Sequence, residues 1–281
     1  MGPDDPLYIY ELEGIFSDPE GFFRENFLAD WVEGGSHFLF FSHPQEEDLK
    51  TFLGQSGGTW VRTHTLSYKD WQGGEPFDSL SVGKFIFISP SISRPQDPES
   101  IIIRLDPGVV FGSGTHPTTR DCLQALSWIY DREQPRKILD LGTGTGILSL
   151  AAVFLGAEEV MAVDLNPACV RTAEKNAGLN NLKTRIKVLK GRAEDYIQEP
   201  ADLVLANLHF SVIKKLVNNK FLFEKKWVIL SGLLRSEFLE VKHRLQFPGF
   251  EILQEWDSEF TWFTVAGRNI ERSRGQVVYN K

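Results

Sequence analysis

The sequence predicts an α/β fold: a small N-terminal α/β segment followed by a larger domain built on a mainly parallel sheet. From Arg136 onward, short apolar runs alternate with amphipathic stretches in a strand-then-helix rhythm, the pattern of a sheet covered on both faces by crossover helices. The last two apolar runs have no helix between them and predict an antiparallel hairpin at the end of that sheet. At 281 residues the chain is longer than one ordinary domain and shorter than three.

In chain order, residues 7–12 read as a strand, 19–32 as a helix, 37–42 as a strand, 44–53 as a second helix and 59–68 as a third strand, a β-α-β-α-β unit. A Gly/Pro-containing stretch over 71–80 follows, then two apolar runs, 84–89 and 100–105, separated by Pro90, Pro95 and Pro98. The junction falls between Lys69 and Leu80, which predicts a small domain over 1–70, a linker with a leading strand over 71–99 and the main domain over 100–281. Within the latter an apolar helix covers 122–129. Strands are then expected at 137–141, 160–165, 185–189, 203–206, 227–231, 251–256 and 261–266, with helices at 147–155, 168–178, 212–217 and 237–245. The polar tail from Arg268 is expected to be loosely held.

A hydrophobic content of 42%, with 21 Phe and 7 Trp, excludes a disordered chain. Cys122 and Cys169 stand alone in apolar segments, so a disulfide framework or a zinc site is not indicated and both read as inert core thiols. No basic start precedes an apolar run near Met1, and no stretch approaches the ~18 apolar residues of a membrane span. The expectation is a cytoplasmic monomer that binds neither membrane nor nucleic acid. A formal charge of −8 disfavours phosphate-directed binding and suits a basic partner, or serves solubility alone. Trp31, Phe38, Phe40 and Phe41 could stack on RNA bases, but their alternation along a strand reads as core packing.

The strongest local signal is the run Ile138-Leu139-Asp140-Leu141-Gly142-Thr143-Gly144-Thr145-Gly146-Ile147, a buried strand ending in a turn with alternate glycines before a helix. Asp164 closes the next strand, placed to accept both hydroxyls of a ribose. A dinucleotide fingerprint would read GxGxxG, with a helix N-terminus for the pyrophosphate. Here the spacing is GxGxG, which suits a nucleoside cofactor that carries an amino-acid tail and no phosphate. Asn207 and His209, at the end of the fourth strand of this sheet, lie at the crevice edge and are the candidate catalytic pair. For His209, as for His116, a structural hydrogen-bonding role stands beside that of general base.

The segment Asp106-Pro107-Gly108-Val109-Val110-Phe111-Gly112-Ser113-Gly114-Thr115-His116-Pro117-Thr118-Thr119 is a glycine-rich loop leading into a helix. It resembles the DPGxAFGTGxHxTT segment of the PrmA-type methyltransferases, which modify ribosomal protein L11 on lysine and terminal amines. The similarity runs from about Lys69 to Arg268 and includes Val82 to Phe85, Pro90-Ser91 and Glu255-Trp256. The resemblance implies a Rossmann-like class I methyltransferase sheet with a small ferredoxin-like N-terminal domain that recognises the substrate. It also implies S-adenosylmethionine as cofactor, held by Thr119, Gly142, Asp164 and Asn207, with Phe111, Thr115 and Gly144 lining the pocket and Thr143 and Leu165 beside them. The implied partner is a basic, lysine-rich ribosomal protein.

The chain departs from the family's pattern at Val110 and Ser113, which replace Ala and Thr, and at His209, where an aliphatic residue is usual. Gly73 and Gly74 stand where an aromatic or basic residue is expected after Trp71. Three other readings stay open: the same cofactor with another protein lysine or a small amine as acceptor, a cofactor-binding protein without transfer activity, and a nicotinamide oxidoreductase. The last lacks its third glycine and leaves the loop unexplained.

Overall fold

The structure, a computed structural model, describes residues 4–270 except 17, 18, 24, 25, 34, 72–77 and 247. Gly73, Gly74 and the tail beyond Ile270 thus lie outside the described residues. The chain forms two compact units, Met1–Phe77 with Asn166–Ala168, and Asp78–Leu165 with Cys169–Lys281.

The first unit contains β1 (Pro6–Glu13), α1 (Pro19–Phe22), β2 (Phe27–Glu33), β3 (Ser36–Phe41), α2 (Glu46–Ser56), β4 (Thr59–Ser67) and α3 (Tyr68–Trp71). Its sheet has the order β2-β3-β1-β4 with every pairing antiparallel. The helix expected over 19–32 is wrong: α1 stops at Phe22 and β2 begins at Phe27, so the connectivity is β-α-β-β-α-β and not β-α-β-α-β. Asn26, at φ 60°, sits in the left-handed region that ends a helix. Phe23 and Phe27 have helical spacing, yet they stack across this reversal with ring centroids 6.3 Å apart, and Phe27 pairs with Phe41 on β3. Tyr10, Leu12, Phe16, Phe23, Leu39, Phe41, Leu49 and Phe52 form the core. Burial pushes the Tyr10 phenol up to about 12, while its oxygen accepts the Gln45 N–H at 2.9 Å.

The second unit opens with a three-stranded sheet, β5 (Ser79–Val82), β6 (Phe85–Ile88) and β7 (Ile101–Arg104), β5–β6 antiparallel and β6–β7 parallel. The Ser-Leu-Ser-Val of β5 is too short to read as a strand without its partner. After α4 (Pro117–Tyr130) comes the alternation β8 (Lys137–Leu141), α5 (Ile147–Leu155), β9 (Glu159–Asp164), α6 (Pro167–Leu179), β10 (Ile186–Lys190), α7 (Ala193–Tyr196), β11 (Leu203–Asn207), α8 (Phe210–Val217), a single 3₁₀ turn (Lys220–Leu222), β12 (Trp227–Leu234) and α9 (Arg235–Leu245). The hairpin β13 (Phe250–Ser258) and β14 (Trp262–Asn269) ends it.

The seven-stranded sheet has the order β10-β9-β8-β11-β12-β14-β13. β8 through β12 are parallel, and β14 runs antiparallel to both β12 and β13, as the missing helix between the last two runs requires. The apolar runs Ile138–Leu139 and Leu203–Ala206 are buried because both faces of the central strands are covered. Successive strands go to one side of β8 and then to the other, so the strand order reverses between β8 and β11. The crevice at the C-terminal ends of these two strands is where ligands of open α/β sheets bind. No helix of the described residues is long and apolar enough to cross a membrane.

Phe41 is fully buried, with ring contacts to Tyr10, Phe23 and Phe27 at 5.6, 5.0 and 5.4 Å. Phe41→Ala is expected to lower the opening free energy of β1 and β3 by about 3–5 kcal/mol. Native-state hydrogen exchange measures this; unchanged protection of those amides would contradict it.

Candidate active site

The glycine turn after β8 is held from beneath by a carboxylate. Asp140 is buried and accepts the hydroxyls of Ser149 at 2.6 Å and Thr143 at 2.7 Å. Burial pushes its pKa up to about 6, the two hydroxyls oppose that rise, and the neighbouring Asp164 carboxylate adds to it. The turn itself needs glycines. Gly142, Gly144 and Gly146 have φ values of 75°, 54° and 82°, and a Cβ on Gly144 would stand 2.5 Å from the Phe111 carbonyl oxygen. The Gly142 and Thr143 N–H groups donate to Val163 O at 2.8 and 3.1 Å, which binds the turn to the end of β9.

There the Gly144 N–H donates to Asp164 Oδ2 at 2.9 Å, orienting the carboxylate beside the turn. The next residue, Leu165, is 60% exposed, and Phe111, across the turn, is 50% exposed. Two large apolar side chains left in solvent next to a fixed carboxylate suit a nucleoside, whose base is apolar on its faces and whose ribose is a hydroxyl donor.

The loop over 106–116 lies against this turn through bonds that the sequence does not advertise. Thr145 N–H donates to Phe111 O at 3.2 Å and its hydroxyl to Gly112 O at 2.6 Å. Asn176 of α6, fully buried, donates through Nδ2 to Asp106 O at 2.9 Å and Thr145 O at 2.8 Å, and accepts Asp106 N–H at 2.8 Å. Asn176 is the supporting residue that sequence reasoning missed; its only signal is an amide on the helix face that also carries the buried Ala173 and Ala177.

The loop delivers the chain to α4 through His116, whose Nδ1 caps the helix by accepting Thr118 N–H at 3.3 Å. Its ring lies 5.4 Å from Phe111 and 5.1 Å from Trp262 of β14, and burial pushes its pKa down. Thr118 Oγ1 sits 2.8 Å from His116 Nδ1 and accepts Asn207 Nδ2–H at 3.2 Å, which connects the start of α4 to the end of β11. Thr119 is buried, and its hydroxyl has no partner among the described residues. An unsatisfied buried hydroxyl costs roughly 1–3 kcal/mol, which a polar atom of a ligand would recover.

The structure therefore brings Phe111, Thr119, Gly142, Thr143, Gly144, Asp164, Leu165 and Asn207 to one edge of the sheet. The Thr143 hydroxyl is committed to Asp140, which leaves only its backbone for a ligand. Thr115 is exposed and its hydroxyl lies 2.8 Å from Ser113 Oγ, a contact that either Ser or Thr at position 113 can make. His209 is exposed and caps α8, its Nδ1 accepting Ser211 N–H at 3.3 Å with Ser211 Oγ at 2.9 Å. Cys122 and Cys169 are both buried and free, and burial pushes the Cys122 thiol up to about 12.

Since folding raises the Asp140 pKa, the folded protein holds that proton more tightly than the unfolded chain. The stabilisation is complete below the unfolded pKa and is lost as pH rises through the folded one. Asp140→Asn does not titrate. The stability of the unaltered protein relative to this variant should fall between about pH 4 and about pH 7 by on the order of 3 kcal/mol. Chemical denaturation across that range checks it, and a difference independent of pH would contradict it.

Comparison with known proteins agrees with this geometry. The family model for ribosomal protein L11 methyltransferase (PrmA) matches residues 43–269, which include most of the second unit. The ribosomal protein L11 methyltransferase of Thermoanaerobacter sp. (strain X514) is 37% identical over 227 residues, 79% of this chain and 72% of that protein. That of Clostridium perfringens is 32% identical over 262 residues, 89% of this chain and 80% of the relative. The crystal structure of ribosomal protein L11 methylase from Lactobacillus delbrueckii subsp. bulgaricus aligns with a TM-score of 0.60 at 26% identity, covering 69% of this chain and 99% of that one. With a glycine turn, a carboxylate and an Asn at the switch point of the sheet, and with that match across 43–269, the chain belongs to the ribosomal protein L11 methyltransferase (PrmA) family.

Proposed function

We propose that this chain transfers methyl groups from S-adenosylmethionine to amines of ribosomal protein L11, the substrate named for its relatives. The observation that carries the cofactor is the buried Thr119 hydroxyl, which has no partner among the described residues. A polar atom of the ligand would satisfy that hydroxyl.

When bound, S-adenosylmethionine supplies a methyl group on a positively charged sulfur. Asp164 would hold the ribose hydroxyls, Phe111 and Leu165 the faces of the base, and the turn at Gly142 and Gly144 with Thr119 the amino-acid tail. Asn207 would hold the acceptor amine in line. Displacement from such a good leaving group asks the protein chiefly for alignment and exclusion of water. A lysine acceptor, with a pKa of roughly 10.4 in water, must arrive neutral, so its site has to disfavour the ammonium form. His116, held neutral by burial, adds no repelling charge there. The net charge of −8 favours encounter with a basic protein.

Purified protein incubated with S-adenosylmethionine and unmethylated ribosomal protein L11 should raise the substrate's intact mass in methyl steps. Asp164→Ala removes a charged hydrogen-bond acceptor and should weaken cofactor binding about ten- to a hundredfold, abolishing the steps at low cofactor. Cofactor binding without any mass change would move the acceptor to another protein lysine or a small amine; no cofactor binding would refute the reading.

A further inference from the structure

We propose that Thr118 is the positioning residue of the acceptor site: its hydroxyl decides which end of the Asn207 amide meets the incoming amine, and it fixes the His116 proton on Nε2. The inference rests on the methyl-transfer reading for its consequence, and on hydrogen-bond counting for its substance.

His116 Nδ1 accepts the Thr118 backbone N–H, so that nitrogen carries its lone pair and not a proton. The Thr118 hydroxyl, 2.8 Å from the same nitrogen, must then donate to it, because two acceptors facing each other would repel. A hydroxyl has one hydrogen. With that hydrogen spent on His116, Thr118 Oγ1 can only accept from Asn207, so the amide end 3.2 Å away is the NH2 group. Oδ1 is therefore the end left over. Gly232, at φ 83°, leaves room for it: a Cβ there would stand 3.2 Å from Asn207 Oδ1 and 2.6 Å from Leu208 O.

A carbonyl oxygen is the end the chemistry needs. A neutral amine has N–H donors to give and one lone pair that must point at the methyl group. An oxygen accepting an N–H turns that lone pair outward, whereas an NH2 in its place would compete for the lone pair itself. The support is rigid. Thr118 is 1% exposed, its carbonyl accepts Ser231 Oγ–H at 3.4 Å, and Ser231 Oγ lies 2.5 Å from Thr264 Oγ1 on β14. Strands β12 and β14 thus hold one residue of α4, and through it Asn207 at the end of β11.

The test uses the full chain. Nitrogen chemical shifts of the His116 ring should show the proton on Nε2, and the Asn207 side-chain NH2 resonance should move in Thr118→Val and stay in place in Thr118→Ser. With ribosomal protein L11 as acceptor and saturating cofactor, Thr118→Val should lose about ten- to a hundredfold in kcat. The S-adenosylmethionine Kd should stay within about threefold. Thr118→Ser, which keeps the hydroxyl, should restore most of the rate. Thr118→Val with unchanged kcat, a serine variant as slow as the valine one, or a proton on His116 Nδ1 would each overturn the proposal. If the unaltered protein leaves ribosomal protein L11 unmethylated, the substrate assignment fails, and the spectra decide the bond network alone: an Asn207 resonance indifferent to Thr118→Val overturns it.

Discussion

A single buried amide governs how the two glycine-rich segments meet. Asn176 reaches from α6 with both donors and an acceptor in use, binding Asp106 on one side and Thr145 on the other. Fully buried, it has no water to fall back on, so removing the side chain would leave several backbone groups unsatisfied at once. The 106–116 loop is thereby fixed against a turn whose glycines exist for that close approach, the Phe111 carbonyl lying where a Gly144 side chain would be. Everything downstream inherits this placement: the position of His116, the start of α4, and the presentation of Thr118 and Thr119.

Two adjacent threonines then face different tasks. The Thr119 hydroxyl has no partner among the described residues, and the Thr118 hydroxyl lies between His116 and Asn207. A similar economy appears at Asp140 and Asp164. The first is buried and strains against its own charge to hold the turn together, and the second is fixed by the Gly144 N–H at the edge where a ribose would lie.

The features legible in the sequence are those that depend on local pattern. The strand-helix alternation gives the parallel sheet, the alternate glycines give the turn, and the carboxylate spacing gives Asp164, because each is written within a short stretch. Elements set by long-range pairing were harder. Phe23 and Phe27 have helical spacing, but residues 27–33 become a strand because Phe27 meets Phe41 across the sheet. β5 exists through its pairing with β6, and Asn176 is one asparagine in a helix until the fold brings Asp106 to it. His209 illustrates the opposite case: it stands at a crevice edge in sequence, and in the fold its Nδ1 is engaged in capping α8.

On the proposed reading, the edge of β8, β9 and β11 is a nucleoside site completed by its ligand. A crystal structure with S-adenosylhomocysteine bound tests it most directly. The account predicts both ribose hydroxyls on Asp164, the base between Phe111 and Leu165, and a ligand atom within hydrogen-bond reach of Thr119 Oγ1. A ligand seated elsewhere, or a Thr119 hydroxyl still without a partner beneath it, would contradict the account.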